Sequence, residues 1–371
     1  PSWRCCALGR NEISTAAPTQ SAPAGRRKHT SGRWKRTLPG LLISLIALII
    51  LFRVIKPREI LDALQQANGW ILAAGMLVTL PWLILRGRVW QTLLHGQASF
   101  RDVFLTLNEG YLLNNLLPFR LGEVGRAYLL GRKAKLNFWQ VFPSVILERM
   151  FDLILAAGLL VLILPFIDRT NWEEQSGAGA GQATLIAVGV GLLVVLGFLG
   201  IYLLARNQER VTAWLERWSG RSPRVQQLVG RRVETFFTGL QVLKEWRLFL
   251  RALVWMLLNW ACSVLLYFVF LRAFFPQATS IWAIFVLAFG SFGIAAPSSP
   301  GGVGVFEWAH IGALMILVHQ TDPSPAMGAF ALTLHLSNYI ITGLIGGYAL
   351  LREGETLSSL YSRLGRLKEK G

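Results

Sequence analysis

"NNLLPFRLGEVGRAYLL", Asn114–Leu130, sets two Asn, a Pro, two Arg and a Glu between strongly apolar runs. Taken alone it is a basic loop or a solvated helix, and its place in the chain has to decide. The apolar run before it, Val103–Leu117, is short and carries Asn108, Glu109, Asn114 and Asn115. A helix needs about 20 apolar residues to cross a bilayer, so this run reads as a dip rather than a crossing. Pro118 ends it, because proline cannot continue a helix without losing a backbone bond. Arg120, Glu123 and Arg126 follow at three-residue intervals, a spacing that lets them share one helical face.

The surroundings are those of a membrane protein. Of 371 residues 53% are hydrophobic and only 15% charged, with a net charge of +17. The basic residues fall in short stretches between long apolar runs, the positive-inside pattern rather than a nucleic-acid surface. Cys5, Cys6 and Cys262 form no metal or disulfide spacing. The five His show no metal spacing either, and no Ser sits in a nucleophile elbow. No metal, cofactor or nucleic acid is expected.

Residues 1–37 are rich in Pro, Ser, Thr and Gly and carry eight Lys/Arg against one Glu; they read as a disordered basic tail. Leu38–Ile55 lacks a cleavage site after it and reads as an uncleaved first span. Further spans are expected at Trp70–Trp90, Met150–Ile167, Ala183–Ala205, Leu253–Phe275 and Gly328–Leu351. Ile281–Val318 is long but broken by "APSSPGGVG", Ala296–Gly304. The segment 206–251 carries ten Lys/Arg against four Glu, and 206–250 reads as two amphipathic helices around Ser219–Pro223. Trp214, Leu215 and Trp218 mark the first helix; Val225, Leu228, Val229, Val233, Phe236, Phe237 and Leu240 share one face of the second. Such faces lie on an anionic leaflet or on the protein's own helices.

The expected fold is an all-α polytopic integral membrane protein with six to eight transmembrane helices and two interrupted or re-entrant segments. Charged loops, among them those holding Arg86, Arg88 and Arg101, place both termini in the cytoplasm, which requires an even number of crossings. Charge does not choose between six and eight. If both odd segments dip, they dip from opposite faces, and interrupted segments in both halves of a chain point to a transporter's substrate site.

Two more polar clusters accompany the first. "LERMFD" puts Glu148, Arg149 and Asp152 at the entry of the expected span to Ile167, with Glu148 and Asp152 at i and i+4. Charges inside a span are expensive and find partners; these carboxylates are natural partners for Arg120 and Arg126. "APSSPGGVGVFE" breaks a helix with Pro300, Gly301, Gly302 and Gly304 and restarts it before Glu307. The new helix N-terminus is a ready anion site, where Glu307 would cap free N–H groups or hold a cation. It lacks the Lys-Ser/Thr of a nucleotide loop.

Three such clusters in this order, "NNLLPFRLGE", "LERMFD" and "PSSPGGVGVFE", resemble the lysylphosphatidylglycerol synthase transmembrane region, or flippase-like, family over roughly residues 38–350. The resemblance implies a bacterial inner-membrane protein whose domain, 38–351, moves or binds a phospholipid or related envelope lipid. It carries over Asn114, Asn115, Pro118, Arg120, Gly122, Glu123, Arg126, Glu148, Arg149, Asp152 and Glu307 as site residues. Pro118, Gly122, Pro300, Gly301, Gly302 and Gly304 are hinge or anion-site positions. The family often places an Arg in the last span, where this chain has His335. The synthases of the family append a soluble catalytic domain, whereas the tail 352–371 holds 19 residues after Arg352. The expectation is therefore a lipid flippase or lipid binder and not an enzyme. The alternative is an enzyme or accessory subunit in lipid or polyisoprenoid-linked glycan assembly.

Overall fold

The computed structural model describes residues 45–117, 120–167, 180–218, 230, 233–295 and 300–353. The tails, Pro118, Ala296–Ser299 and the face built on Val225, Leu228 and Val229 lie outside the described residues. In chain order the helices are α1 (Leu45–Val54), α2 (Pro57–Gln66), α3 (Gly69–Leu93), α4 (Phe100–Leu116), α5 (Leu121–Lys133) and α6 (Phe138–Ile163). Then come α7 (Ala180–Arg206), α8 (Gln208–Trp218), α9 (233–239), α10 (Trp246–Phe274), α11 (Ser280–Ala295), α12 (Val305–Val318) and α13 (Pro325–Arg352). No strand occurs among the described residues.

The chain is an all-α polytopic membrane protein. Among the described residues five helical segments are long and apolar enough to cross a bilayer: Gly69–Leu93, Phe138–Phe166, Trp246–Phe274, Pro300–Val318 and Pro325–Arg352. Its outside and inside are inverted relative to a water-soluble bundle. Leu77, Leu162, Leu185, Leu196 and Leu344 are more than 60% exposed, while Arg86, Asn108, Glu109, Arg126, Glu148 and Glu307 are buried. Apolar side chains facing out and charges facing in are what a hydrocarbon solvent selects.

Local signals fix the helix starts. Asn68 accepts from the N–H groups of Trp70 and Ile71, Ser99 from that of Asp102, and Asn137 from that of Trp139, each satisfying donors left free in a first turn. The Asn137 cap explains one correction to the sequence reading. The span holding "LERMFD" begins at Phe138 and not at Met150, running through Pro143 without ending there. Glu148, Arg149 and Asp152 are therefore in the middle of a long helix rather than at its entry. Val103–Leu117 likewise belongs to one unbroken helix, α4, with its polar residues turned inward.

α3 and α10 are the most extensively packed pair and run antiparallel: Asn68 N–H donates to Ala273 O, Trp82 Nε1 to Ser263 Oγ, and Arg86 reaches Met256. α6 lies between α5, α7 and α11. In the 206–250 segment, Phe237 and Leu240 are buried in the main core, so the face of α9 packs on the protein's own helices, whereas Trp214 of α8 is exposed.

Two hairpins converge on α13. The first is α4 and α5, joined through residues 117–120; the second is α11 and α12, joined through the turn Pro300–Gly302. That turn packs against α4, and α13 touches both α4 and α12. The α4–α5 hairpin closes tightly because Gly122 has no side chain: a Cβ there would lie 2.1 Å from the Gly110 carbonyl oxygen. Gly122, expected as a hinge, is thus a packing position inside α5. Gly122→Ala should lower stability by about 1–3 kcal/mol through overpacking, read as a lower thermal midpoint in detergent. Gly158→Ala, where nothing lies within 4 Å, should leave the midpoint unchanged.

Candidate functional site

The middle of α6 presents Glu148 and Asp152 one helical turn apart, and arginines from two other helices close on them. Arg86 of α3 is the central one. Its Nη1 donates to Asp152 Oδ1 at 2.7 Å and its Nη2 to Asp152 Oδ2 at 2.5 Å, a two-pronged pairing suited to the planar guanidinium. The same Nη2 lies 2.6 Å from Glu148 Oε1. Arg126 of α5 approaches Glu148 from the other side, Nη1 donating to Oε1 at 3.4 Å. Arg126 Nη2 sits 3.1 Å from Glu148 Oε2 but off hydrogen-bond geometry, so that contact is charge against charge. Arg149 Nη2 donates to Glu148 Oε1 at 2.8 Å and lies 3.3 Å from Asp152 Oδ2.

Apolar and neutral partners hold the nest. The Arg126 guanidinium lies 4.7 Å over the Trp90 ring, and Trp90 is fixed by donating Nε1–H to Ser144 Oγ at 2.9 Å. Gly110 on α4 makes room for the Arg126 stem. From α10, Trp260 Nε1 donates to Asp152 Oδ1 at 3.2 Å, and Asn259 accepts from Arg86 while donating to Trp82 O. Tyr111 of α4 stacks on Trp82 at 6.1 Å between centroids.

Burial is graded. Glu148, Arg86 and Arg126 are 0–4% exposed, while Asp152, Glu123, Arg120 and Arg149 rise from 19% to 30%. The partly exposed group continues the network outward, with Arg120 Nη1 3.5 Å from Glu123 Oε1 and Arg149 Nε 3.7 Å from the same oxygen. Arg120 itself takes a left-handed conformation, φ 52°, directly before α5.

Structure and sequence reading differ on who pairs with whom. Arg126 meets Glu148 as expected from the clusters, but Arg120 turns to Glu123 of its own helix. The central cation is Arg86, which the sequence reading left among loop charges. Its signal was present: Arg86 falls inside the apolar run Trp70–Trp90, and an ionisable residue inside a span is a site candidate by default. Asn259, within "LLNWACS", is a neutral polar residue inside an apolar span and carried a related signal.

Asn114, Asn115 and Glu307 lie elsewhere. Asn115 Nδ2 donates to Thr342 Oγ1 of α13 at 3.4 Å, and Asn114 Oδ1 is buried without a partner beside Gly122. A further pair, with Glu109 buried and Lys133 half-buried, ties α5 to α4, Lys133 Nζ donating to Glu109 Oε2 and to Thr106 Oγ1, both at 2.8 Å. Lys133 also pairs with Glu353 at the end of α13.

At the break, Gly301, Gly302 and Gly304 all have positive φ. A Cβ on Gly301 would collide with the Tyr339 hydroxyl, so both backbone and space require glycine there. Gly304 N–H donates to Glu307 Oε2 at 2.6 Å. The anion position expected at this helix N-terminus is thus filled by Glu307's own carboxylate. Glu307 Oε1 lies 2.6 Å from His335 Nδ1, and His335 Nε2 lies 3.1 Å from Gly301 O. Phe306 is stacked between the His310 and His335 rings, 4.0 Å from each. Among the described residues no cluster of three His, Cys, Asp or Glu could hold a metal ion.

Comparison with known proteins gives this arrangement a family. Glycosyltransferase AglD of Haloferax volcanii is 28% identical over 334 residues, covering 83% of this chain and 53% of that protein. The chain thus spans about half of that relative's length. A UPF0104 membrane protein of Methanothermobacter thermautotrophicus is 25% identical over 78% of this chain and 87% of its own. UPF0104 membrane protein MJ1595 of Methanocaldococcus jannaschii is 21% identical over 84% and 93%. The expectation that the chain is not an enzyme does not stand, because 83% of the chain is similar to a protein named as a glycosyltransferase. The model of the lysylphosphatidylglycerol synthase TM region matches residues 38–346, and the chain belongs to that family.

Proposed function

We propose that this chain serves lipid-linked glycan assembly, as enzyme or as membrane subunit, and that the Arg86–Arg126–Arg149 nest takes the phosphate-bearing headgroup of a membrane lipid. The observation that carries the reading is an imbalance of charge and of hydrogen bonds in the nest. Three guanidiniums face the two carboxylates of Glu148 and Asp152, and Nε of Arg86, Arg126 and Arg149 all lack an acceptor. Buried polar groups are paired in the great majority of cases, and buried charges stay charged only where partners surround them. A phosphate supplies one negative charge and several strong acceptor oxygens, which matches what is missing. The partly exposed side chains of Arg149, Asp152, Arg120 and Glu123 mark the open side. Similarity to a glycosyltransferase turns the reading toward glycan assembly, and polyisoprenyl phosphate is the lipid class we propose for it.

A second reading, movement of such a lipid between leaflets, is supported by the two hairpins that meet at α13. In that reading both termini and the nest's open side face the cytoplasm, and the membrane is the bacterial inner membrane.

Both readings share a test. The full chain is reconstituted in vesicles with a labelled polyisoprenyl phosphate, and its retention, chemical conversion and leaflet distribution are measured separately. Arg126→Gln should weaken retention at least about tenfold, since a hydrogen bond to a charged group is worth roughly 1.5–3 kcal/mol. Conversion to a new lipid species supports the assembly role, and redistribution alone supports the flipping role. Retention unchanged by Arg126→Gln would remove the nest from both. Glu148→Gln should act in the opposite sense on binding. It leaves three arginines facing one carboxylate, lowering stability by about 3–5 kcal/mol. Added polyisoprenyl phosphate should then raise its thermal midpoint more than that of the unaltered protein.

A further inference from the structure

Arg86 and Arg88 are two residues apart on α3, so their side chains leave nearly opposite faces of the helix. Arg86 enters the nest. Arg88 lines a separate cleft of about 250 Å³ between the C-terminal end of α3 and the first turns of α10, together with Gln91, Thr92, His95, Leu248 and Arg251.

The cleft is built in advance of any ligand. The Arg88 guanidinium lies 4.0 Å over the Phe100 ring, and its Nη1 donates to Gln91 Oε1 at 3.0 Å. Gln91 is held in turn by donating Nε2–H to Ala98 O at 3.2 Å. Thr92 Oγ1 donates back to Arg88 O at 2.8 Å. Past the end of α3, His95 and Gly96 both adopt positive φ, 56° and 68°, where their N–H groups close on Thr92 O and Gln91 O. A left-handed conformation is uncommon for a residue with a Cβ, and here it sets the His95 ring on the cleft wall. His95 Nε2 is buried there and has no hydrogen-bond partner. Arg251 is exposed on the opposite wall. The carboxylate facing His95 is that of Glu245, before α10, so the two arginines leave the cleft net positive.

We propose that this cleft is a second anion site, distinct from the nest, that binds a phosphate-bearing group through Arg88, Arg251 and His95. The preorganised Arg88 guanidinium, a second guanidinium on the exposed Arg251 and an unmet ring nitrogen are the donor set that phosphate oxygens satisfy. The volume admits a phosphate with part of the alcohol it esterifies, and Leu248 gives that part an apolar wall. The phosphate belongs either to a lipid headgroup at the membrane surface or to a water-soluble phosphate ester, and the chemistry of recognition is the same. The site stands whether or not the nest binds lipid.

The test uses the full chain in phosphatidylcholine nanodiscs. In one arm the discs carry phosphatidic acid, and bound lipid is counted by native mass spectrometry. In the other, pyrophosphate is titrated in buffer by calorimetry. The Arg88→Gln/Arg251→Gln protein should bind one of the two probes about tenfold or more weakly than the unaltered chain. Arg251→Gln alone, at an exposed position, should show a smaller loss in the same arm and covers the case in which the double variant does not fold. Loss confined to the phosphatidic acid arm assigns a lipid headgroup, and loss confined to pyrophosphate assigns a soluble ester. Equal binding by all the cleft variants in both arms, or no binding of either probe by the unaltered chain, overturns the proposal.

Discussion

A carboxylate with no solvent exposure, Glu148, sits at the centre of α6 and meets guanidiniums from α3, α5 and its own helix. In a bilayer, apolar side chains gain little by touching one another rather than lipid, so polar contacts and close packing have to specify which helices meet. Glu148 and Asp152 do this by demanding partners. Arg86 brings α3, Arg126 brings α5, and Trp260 and Asn259 bring α10. Removing the Glu148 carboxylate would leave three cations facing Asp152 alone in a medium that screens them poorly. The same contact that orders the helices also concentrates positive charge, so the fold and the proposed anion site are one construction.

The broken segment solves a different problem with the same means. A helix that starts at membrane depth exposes N–H groups that lipid cannot satisfy. Glu307 meets them from within the helix, and His335 of α13 then bridges the carboxylate to the Gly301 carbonyl. A histidine thus fills a position where the family resemblance suggests arginine, with one ring nitrogen on each of the two groups. Tyr339, one turn further along α13, occupies the space that only a glycine at 301 leaves open.

Much of this was legible in the sequence because bilayers impose length and charge rules on each segment separately. Most apolar spans, the break at Pro300–Gly304 and the three charged clusters follow from those rules. Pairing between clusters does not, because it depends on helix register. Arg86 is the clearest case: its burial is written in the apolar run around it, yet its partners lie 62 and 66 positions away in α6. The α6 start at Phe138, after the Asn137 cap, lies ahead of an internal proline, Pro143, and 12 residues before the apolar run that begins at Met150. His95 gave no sequence signal at all, since a left-handed histidine is visible only once the α3 C-terminus is built.

α13 connects these parts in a fixed order. His335 bonds the Gly301 turn, Thr342 accepts from Asn115, Gly346 packs on the Asn108 carbonyl, and Glu353 pairs with Lys133. From His335 to Thr342 is seven residues, a rise of about 10 Å along one helix. The ends of the two hairpins are therefore held close to each other by a single rigid element, although they come from opposite halves of the sequence. Lys133 extends the same line to Glu109 in α4, and α4 passes Gly110 against the stem of Arg126. A shift of α13 along its axis would thus strain the Gly301 contact at one end and the packing behind the arginine nest at the other. Through α4 and α13, the break and the nest are parts of one mechanical unit.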